Sequence, residues 1–405
     1  MELGAAILVS GSEWQGCWSL DPKIVYLNHG AFGATPRAVL ELQQQLRDRL
    51  EAAPVRFIDR EFEGYLDRSR EQLAAFLGAD ASDLVFVQNA TTGVNAVLRS
   101  LKFSPGDELL VTNHEYNACR NAVNFVASRT GAKVVVAKIP FPLDDLEQIV
   151  EAVLAAVTPR TKLALLDHVT SQTALVFPIQ QLVRELKARG VETLVDGAHA
   201  LGMVPLNLAA IGATYYAGNC HKWLCAPKGA GFLYVEKEKQ AQIRPLTISH
   251  GANSTRTDKS RWQLEFDWTG TNDATAYFCV PEAIKFMGGL LPGGWDELMS
   301  RNRLLALRAR KLLCEKLGIT PPAPEKAIAS MAVMPLPQET RDRSELILPL
   351  QQDLSEQFQI EVPVIPFPAF PQQVLRISVQ IYNSFEQYQY LAEVLGKLLT
   401  LDQCR

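Results

Sequence analysis

A lysine and an aspartate in the middle of this chain have residue types and spacing that suit a chemical site. Lys222 follows a short apolar segment that begins at Tyr215, and Asp196 follows the apolar segment Val191–Val195. Proteins that bind pyridoxal phosphate hold its aldehyde covalently on a lysine amine and pair a carboxylate with its ring nitrogen. An amine and a carboxylate at the ends of two buried strands therefore predict a pyridoxal phosphate site.

Each of these residues alone has a more ordinary interpretation. An isolated Asp196 is typical of a turn or a helix N-cap, and an isolated Lys222 is typical of a solvated surface. Together, among glycine and other small residues, they favour a functional site. A carboxylate beside the ring nitrogen stabilises the protonated ring, because opposite charges at short range stabilise each other. The protonated ring then withdraws electrons from the α-carbon of the substrate.

The phosphate of such a cofactor has a candidate site in the segment Gln88–Val94, which runs from the end of a strand into the start of a helix. Thr91 and Thr92 lie where free backbone N–H groups and the helix dipole favour an anion. Asn219 and His221, just before the lysine, add side-chain donors. An ordinary threonine N-cap remains the alternative for this segment.

All six histidines of the chain precede residue 251, and several of them follow predicted strands. We expect His114 to stack on the cofactor ring and His199 to hydrogen-bond its phenolic oxygen. Cys220, His221 and Cys225 form a tight cysteine–histidine group. This group lacks the second ligand pair that zinc requires, so the sequence predicts no metal site.

Arg376 interrupts the apolar strand Val374–Val379. Burying a guanidinium is costly unless a carboxylate is available, and a guanidinium binds a carboxylate through two parallel hydrogen bonds. The interpretation that we favour is a clamp for the α-carboxylate of an amino acid substrate. A structural ion pair is the alternative.

The elements that must position these residues are short strands that alternate with helices from about residue 84 to residue 235. This alternation predicts an α/β fold with a mostly parallel, doubly wound sheet, in which ligands bind beyond the carboxyl ends of the strands. The predicted strands are Leu84–Gln88, Glu108–Thr112, Val134–Ala137, Leu163–Asp167, Thr193–Asp196, Thr214–Ala217 and Gly231–Val235. The predicted helices are Thr92–Leu101, Asn117–Ser128, a helix that begins near Leu143, and Pro178–Arg189.

The length of 405 residues favours more than one domain. We expect residues 1–30 to be an N-terminal segment that packs near the small domain and the active site. Residues 31–289 are expected to form the large cofactor-binding domain, and residues 290–405 a smaller C-terminal α/β domain. The polar residues 251–275 are interpreted as a long loop, which is uncommon without a function.

The amino-acid composition limits the binding partners and the cellular location that we expect for this protein. The net charge is −4, the pI is near 6.0 and no long run of basic residues occurs, which argues against nucleic acid and against an anionic membrane surface. No apolar segment reaches the roughly 18 residues of a membrane span. Seven scattered cysteines and the absence of a basic signal-like N-terminus predict a cytoplasmic location. A small molecule is the expected ligand.

These motifs, in this order, resemble the class V aminotransferase family of fold type I pyridoxal phosphate enzymes, and most closely its isopenicillin N epimerase-like branch. The resemblance extends from Tyr26–Gly33 to Arg376–Asn383, which is nearly the whole chain. The segments Asp196–His199 and His221–Trp223 are its most specific motifs, and Ala90–Gly93 is less specific. The resemblance implies a large domain with a mostly parallel doubly wound sheet and a smaller C-terminal α/β domain.

The resemblance also implies a homodimer with a shared active site and a role for each candidate residue. The catalytic residues would be Lys222, which holds the cofactor, Asp196, at the ring nitrogen, and His114, stacked on the ring. The remaining implied contacts are Thr91, Thr92, Asn219 and His221 at the phosphate, Ser171 and His199 near the phenolic oxygen, Thr271 at the phosphate of the neighbouring subunit, Arg376 at the substrate carboxylate, and Asn28 and His29 on the substrate side.

The sequence leaves the reaction type open. We expect the Lys222 amine to remove the α-proton of an amino acid, and return of a proton on the opposite face gives epimerisation, which the resemblance favours. Loss of a β-substituent, as in a C–S lyase, and transamination remain alternatives. Cysteine desulfurases of this superfamily need a thiolate shortly before the arginine, and residues 360–371 contain no cysteine, so persulfide formation is not expected.

Two other classes of protein fit the sequence less well. A nicotinamide-dependent dehydrogenase would need a Gly-x-Gly-x-x-Gly turn after an early strand, and the segment Asn89–Gly93 does not supply one. A protein that binds the cofactor or a partner without catalysis would not need to retain Lys222, Asp196 and Arg376 together. A pyridoxal phosphate enzyme therefore remains the prediction.

Overall fold

A computed structural model describes residues 9–339 and 347–402 of the chain. Within these ranges the structure is an α/β fold with a large mixed sheet and a smaller C-terminal sheet. The strands are β1 Val25–Tyr26, β2 Leu84–Val87, β3 Glu108–Thr112, β4 Lys133–Ala137, β5 Thr161–Asp167, β6 Glu192–Gly197, β7 Tyr215–Asn219, β8 Gly231–Val235, β9 Met331–Leu336, β10 Ile360–Glu361, β11 Val364–Pro366 and β12 Gln373–Ser378.

Helices cover both faces of the large sheet and build most of the C-terminal part. They are α1 His29–Phe32, α2 Arg37–Ala52, α3 Pro54–Arg56, α4 Phe62–Leu77, α5 Ala90–Ser100, α6 Asn117–Thr130, α7 Glu147–Ala155, α8 Ile179–Ala188, α9 Leu208–Ile211, α10 Arg261–Asp267, α11 Thr275–Phe278, α12 Val280–Gly288, α13 Gly294–Leu317, α14 Pro349–Phe358 and α15 Phe385–Asp402.

The large sheet has the order β2-β8-β7-β6-β5-β3-β4 among the described residues. Its neighbouring strands are parallel except at β8, which runs antiparallel to both β2 and β7. The predicted fold class, a mostly parallel doubly wound sheet, is therefore confirmed. The parallel strands β7, β6, β5 and β3 end at the same edge of the sheet, so residues that follow them can meet there.

Both faces of the large sheet are buried, because alternate side chains of its strands pack into two different hydrophobic clusters. Leu110 and Leu166 pack into a hydrophobic cluster with residues of α7 and α8. Their neighbours Leu109 and Leu165 pack into a second cluster with residues of α5 and α6. Successive side chains of a strand point to opposite faces, so strands covered on both sides are apolar throughout.

The C-terminal part has its own sheet and core. Strand β12 pairs antiparallel with β9 and with β11, and the sheet packs with α13 and α15 around a further hydrophobic cluster. Val25 and Leu27 of the N-terminal segment belong to this cluster, and β1 pairs in parallel with β10. The division into residues 1–30, 31–289 and 290–405 stays a prediction.

Residues 251–275, interpreted as a long loop, contain the helix α10. Trp262 and Phe266 lie four residues apart on one side of this helix and are buried, with ring centroids 4.5 Å apart. Two apolar residues in a polar segment are a weak periodic signal, and tertiary burial stabilises the helix. The loop interpretation was therefore wrong for this part of the segment.

Helices long and apolar enough to span a membrane are absent from the part of the chain that the structure describes.

Candidate active site

A cavity of about 470 Å³ opens at the carboxyl ends of β5, β6 and β7. Its walls combine one amine, two carboxyls and several neutral polar groups, which is the composition of a site for a charged small molecule. The residues that line it are Ala31, Phe32, Asn89, Ala90, Thr91, Thr92, Tyr116, Asp167, Val169, Ser171, Asp196, Ala198, His199, Asn219, His221 and Lys222.

Lys222 lies three residues beyond β7, in the turn that precedes β8. Its Nζ is 3.2 Å from His199 Nε2. Burial lowers the pKa of Lys222 to about 8, while the charge of Asp196 acts in the opposite direction. A buried amine that loses its proton near neutral pH is suited to nucleophilic or general-base chemistry.

His199 follows β6 and is fixed by two neighbours. The indole Nε1–H of Trp223 donates to His199 Nδ1 at 3.4 Å, and Nε2 lies beside Lys222. Burial holds the pKa of His199 well below its usual value, so the imidazole is neutral. Because Nδ1 accepts, the ring proton is on Nε2, which places a hydrogen-bond donor beside the lysine.

Asp196 is 3% exposed at the end of β6. The Ala198 backbone N–H donates to its Oδ1 at 2.9 Å, and the Cys119 thiol donates to its Oδ2 at 3.1 Å. These contacts fix the carboxyl group at the floor of the cavity. It lies between the strand that leads to Lys222 and the strand β5.

Two further carboxyls near Asp196 were missed by the sequence analysis. Asp167 ends β5 and lines the cavity, and Glu115 has both oxygens buried without a hydrogen-bond partner in the described part of the chain. Burial raises the pKa of both groups well above the usual values, and the negative charge of Asp196 raises them further. One signal was available for Asp167, because it ends a predicted parallel strand as Asp196 does.

The first turn of α5 forms another part of the wall. Asn89 is the N-cap, and its Oδ1 accepts from the Thr92 N–H at 2.9 Å. Asn219 Oδ1 accepts from the Ala90 N–H at 2.8 Å. The Thr91 N–H lies between the N–H groups of Ala90 and Thr92, in the first turn of the helix, where N–H groups have no intrahelical partner. Such a turn favours the binding of an anion.

His221 lines the same side of the cavity. Its Nδ1 lies 2.9 Å from the Ala230 carbonyl oxygen, and burial lowers its pKa to about 4. The ring therefore donates through Nδ1 to that carbonyl and presents the Nε2 lone pair. To donate to a phosphate, His221 must first gain a proton, which a bound dianion favours.

Arg376 is 4% exposed on β12. It does not line the cavity, but it contacts Ser171, which does. Its Nη1 donates to the Ser171 carbonyl oxygen at 2.6 Å, and its Nη2 donates to Asn28 Oδ1 at 3.3 Å. Burial lowers the pKa of Arg376 to about 10. None of the ion pairs among residues 9–339 and 347–402 involves this guanidinium, so the alternative of a structural ion pair is not formed among these residues.

His114 does not line the cavity. It is fully buried, its Nδ1 lies 2.6 Å from Thr173 Oγ1, and its ring packs against Phe367 at a centroid distance of 4.9 Å. Tyr116, two residues later, lines the cavity and is 42% exposed. The turn after β3 directs His114 into the aromatic core and away from the cavity, so the structure does not bring it together with Lys222 and Asp196. The stacking of His114 on a cofactor ring stays a prediction.

His29 and Thr271 also lie outside the cavity wall. His29 is buried, with Nδ1 2.8 Å from the Tyr382 hydroxyl and Nε2 3.0 Å from the Lys222 carbonyl oxygen, so it supports the lysine turn. Burial lowers its pKa to about 3. Thr271 is exposed beside Gly270, which has a φ of 122°. The predicted roles of His29 toward the substrate and of Thr271 toward a second subunit stay predictions.

Gly33 brings the N-terminal segment to the lysine turn. Its φ is 69°, and a Cβ at this position would lie 2.0 Å from the His221 carbonyl oxygen. Only glycine fits both constraints. The close approach lets Ala31 and Phe32 form one wall of the cavity.

The residues present fit pyridoxal phosphate. The cavity offers the Lys222 amine for the aldehyde, the buried Asp196 carboxyl for the ring nitrogen and the N-terminus of α5 for the phosphate. His199 adds a neutral Nε2–H donor beside the lysine.

The fold and the site define a cofactor-dependent α/β protein, and comparison with known proteins identifies its family. The aminotransferase class-V family matches residues 25–391. The chain belongs to this family, and membership confirms the predicted cofactor, pyridoxal phosphate.

Individual relatives are similar over nearly the full length. The chain is 36% identical to isopenicillin N epimerase of Amycolatopsis lactamdurans, across 94% of this chain and 96% of that protein. It is 30% identical to a probable chloroplastic L-cysteine desulfhydrase of Arabidopsis thaliana, across 96% of this chain and 86% of that protein.

A solved structure supports the fold. The chain superposes on a mutant of C-DES that has glycine covalently linked to its PLP cofactor, with a TM-score of 0.77 and 22% identity. The match covers 92% of this chain and 96% of that chain. The predicted fold type I architecture is thereby confirmed.

Proposed function

We propose that this protein is a pyridoxal phosphate-dependent epimerase or racemase that acts at the α-carbon of an amino acid. The similarity to isopenicillin N epimerase, 36% identity across 94% of the chain, is the observation that carries this proposal. The buried amine and carboxyl that line the cavity, and the guanidinium that contacts Ser171 in its wall, are groups that such a reaction needs.

The guanidinium of Arg376 is the proposed binding group for the substrate. It is buried, charged and without a carboxylate partner among the described residues, so an incoming α-carboxylate would compensate its desolvation. Asn28 and Ser171 accept hydrogen bonds from the two Nη atoms and hold the Arg376 guanidinium in one orientation. These contacts fix where the α-carbon lies relative to Lys222.

Lys222 is the proposed base. With a pKa of about 8, a substantial fraction of its amine is neutral near pH 7.5, so it can accept the α-proton. Bound pyridoxal phosphate supplies the electron-withdrawing ring that makes this proton acidic. We propose that Asp196 holds the ring nitrogen, Thr91, Thr92, Asn219 and His221 the phosphate, and His199 and Ser171 the phenolic oxygen.

A C–S lyase that eliminates the β-substituent of a cysteine derivative is the second candidate. It is favoured by the 30% identity to an L-cysteine desulfhydrase across 96% of the chain. The same first step, removal of the α-proton, serves both reactions, and the outcome depends on where the next proton is delivered. Persulfide formation is not proposed, because residues 360–371 before Arg376 contain no cysteine.

We further propose a homodimer in which Thr271 contributes to the site of the second subunit. The support for this is its exposed position beside Gly270, away from the cavity of its own chain. Leu246 and Ile248, 42% and 61% exposed, lie on the preceding segment and offer apolar surface for such an interface.

One experiment separates the candidate reactions. Purified holoenzyme is incubated with single enantiomers of a panel of amino acids and cysteine derivatives, and inversion at the α-carbon, pyruvate with sulfide, and keto acid are measured in parallel. Inversion without pyruvate is the expected result. Rapid release of pyruvate without inversion would replace the epimerase by the lyase, and Lys222→Ala serves as the inactive control.

A further inference from the structure

We propose that the Tyr116 hydroxyl delivers the proton to the face of the α-carbon opposite Lys222. This inference rests on the proposed epimerase function and names a second catalytic residue for it. Inversion requires that a proton leave one face of the α-carbon and that another arrive on the opposite face. The cavity must therefore present a donor on the side away from the lysine.

The strand order places Lys222 and Tyr116 on opposite flanks of the cavity. Lys222 follows β7 and Tyr116 follows β3, with β6 and β5 between these strands. Adjacent strands are about 4.8 Å apart, so these two strands are separated by about 14 Å. Asp196 and Asp167 end the two intervening strands. If a ring nitrogen is held at Asp196, Lys222 and Tyr116 would therefore approach the bound group from opposite sides of the cavity.

The backbone of Tyr116 is anchored close to Asp196. Tyr116 is the N-cap residue of α6, and Cys119 in the first turn of the same helix donates to Asp196 Oδ2 at 3.1 Å. The helix that carries the tyrosine is thereby tied to the carboxyl that is proposed to hold the ring nitrogen.

The Tyr116 hydroxyl is free to act as a donor. In the described part of the chain it takes part in none of the hydrogen bonds, whereas the buried hydroxyls of Tyr216 and Tyr382 bind His168 and His29. Burial raises the pKa of Tyr116, so the phenol keeps its proton at neutral pH. The positive charge of Arg376 acts on the phenol in the opposite direction and stabilises the phenolate that remains after the proton is given.

The proton inventory of this step is balanced. The Lys222 amine takes the proton from one face of the α-carbon and becomes an ammonium, and the O–H bond of Tyr116 breaks as a new C–H bond forms on the other face. The pair is reset when the ammonium loses its proton to water and the phenolate regains one from water. No oxidant or reductant takes part, and the reverse reaction exchanges the two roles.

The test is Tyr116→Phe in the holoenzyme, with the reaction run in deuterium oxide. Removing a general acid costs about 100- to 10,000-fold, so inversion should fall by at least about 100-fold. Exchange of the α-proton for deuterium with retention of configuration should continue within about tenfold, which corresponds to about 1.4 kcal/mol. The dissociation constant of pyridoxal phosphate from the apoenzyme, measured by fluorescence quenching, should change by less than about threefold because the aromatic ring remains.

Tyr390→Phe is the matched control, since its hydroxyl lies at 3.3 Å from the Phe358 carbonyl oxygen in the C-terminal part. Tyr116→His provides a second variant, because an imidazolium also donates a proton. Its inversion rate should fall as the pH rises through about 6.5, the usual imidazole pKa.

The outcomes of the test are distinct. If the wild-type protein inverts its substrate and Tyr116→Phe inverts it equally well, or loses inversion and exchange in the same proportion, the role of Tyr116 is overturned. If the wild-type protein exchanges the α-proton without ever inverting the substrate, the proposed epimerase function fails, and the role of Tyr116 fails with it. Selective loss of inversion with exchange retained supports the proposal.

Discussion

Asp167 and Asp196 lie directly opposite each other in the register of the parallel strands β5 and β6. Both carboxyls are buried, at 2% and 3% exposure, and both line the candidate active site. Burial raises the pKa of Asp167 well above its usual value, and the negative charge of Asp196 raises it further. Two adjacent buried carboxyls cannot both ionise cheaply, and the raised pKa favours the protonated form of Asp167.

This pair gives a prediction that distinguishes two aspartates in the same cavity. Asp196→Asn removes the carboxyl group that is proposed to hold the ring nitrogen and should lower the turnover rate by about 100- to 1,000-fold, the usual effect of deleting one electrostatic contact to a reacting system. Asp167→Asn replaces a neutral carboxyl by a neutral amide of similar shape, so the rate should remain within about tenfold. Steady-state kinetics of both variants at pH 7.5 provide the measurement.

Equal losses of turnover in the two variants would contradict the proposed role of Asp196 at the ring nitrogen. The absorbance of the bound cofactor supplies an independent readout, because its pH dependence should shift in Asp196→Asn and stay near that of the wild-type protein in Asp167→Asn.

The reactivity of Lys222 should depend on pH in a defined direction. Burial disfavours the ammonium and lowers the pKa to about 8, so the neutral amine should accumulate as the pH rises through 8. Competitive labelling of the apoenzyme with an amine-reactive reagent, read by mass spectrometry of the Lys222 peptide, measures this midpoint. A midpoint above about 10, the usual lysine value, would show that the cavity does not desolvate the amine.

Arg376→Lys should raise KM for the amino acid substrate by about 10- to 100-fold and change kcat less. Lysine keeps the positive charge but cannot form the bidentate pair of hydrogen bonds to a carboxylate. Arg310→Lys is the matched control. Arg310 is also buried, at 4% exposure, and donates to the Ala323 carbonyl oxygen at 2.7 Å outside the cavity. This control should lower the melting temperature without changing KM, and an unchanged KM in Arg376→Lys would remove the clamp assignment.

The proposed sharing of active sites can be tested by mixing two inactive or weakened variants. Thr271→Ala should weaken cofactor retention in its homodimer, and Lys222→Ala should abolish covalent attachment in its own. If Thr271 serves the second subunit, a heterodimer of the two variants contains one site with both defects and one intact site. Recovery of about a quarter of the wild-type activity after random reassociation is the expected result. Absence of recovery, with heterodimers demonstrated by mass, would place Thr271 in the site of its own chain.

Much of the large sheet could be predicted from the sequence, because the patterns that mark its strands lie within a few consecutive residues. The strands Glu108–Thr112 and Gly231–Val235 were predicted to the residue, and the other five predicted strands of the large sheet differ from the structure by at most two residues at either end. A run of apolar residues that ends in a polar turn is sufficient to locate a buried parallel strand. Helices α2 and α4, outside the alternating region, were not predicted, since their stability depends on packing against distant elements.

The sequence by itself determined that Lys222 and Asp196 stand at the ends of buried strands, because apolar runs and glycine-rich turns mark those ends. The tertiary structure decided which neighbours share their cavity. It placed Tyr116 at the site and His114 in the aromatic core, and it set Asp167 beside Asp196. The direction of a side chain after a strand depends on the path of the following turn and on strand order, which contacts distant in sequence determine.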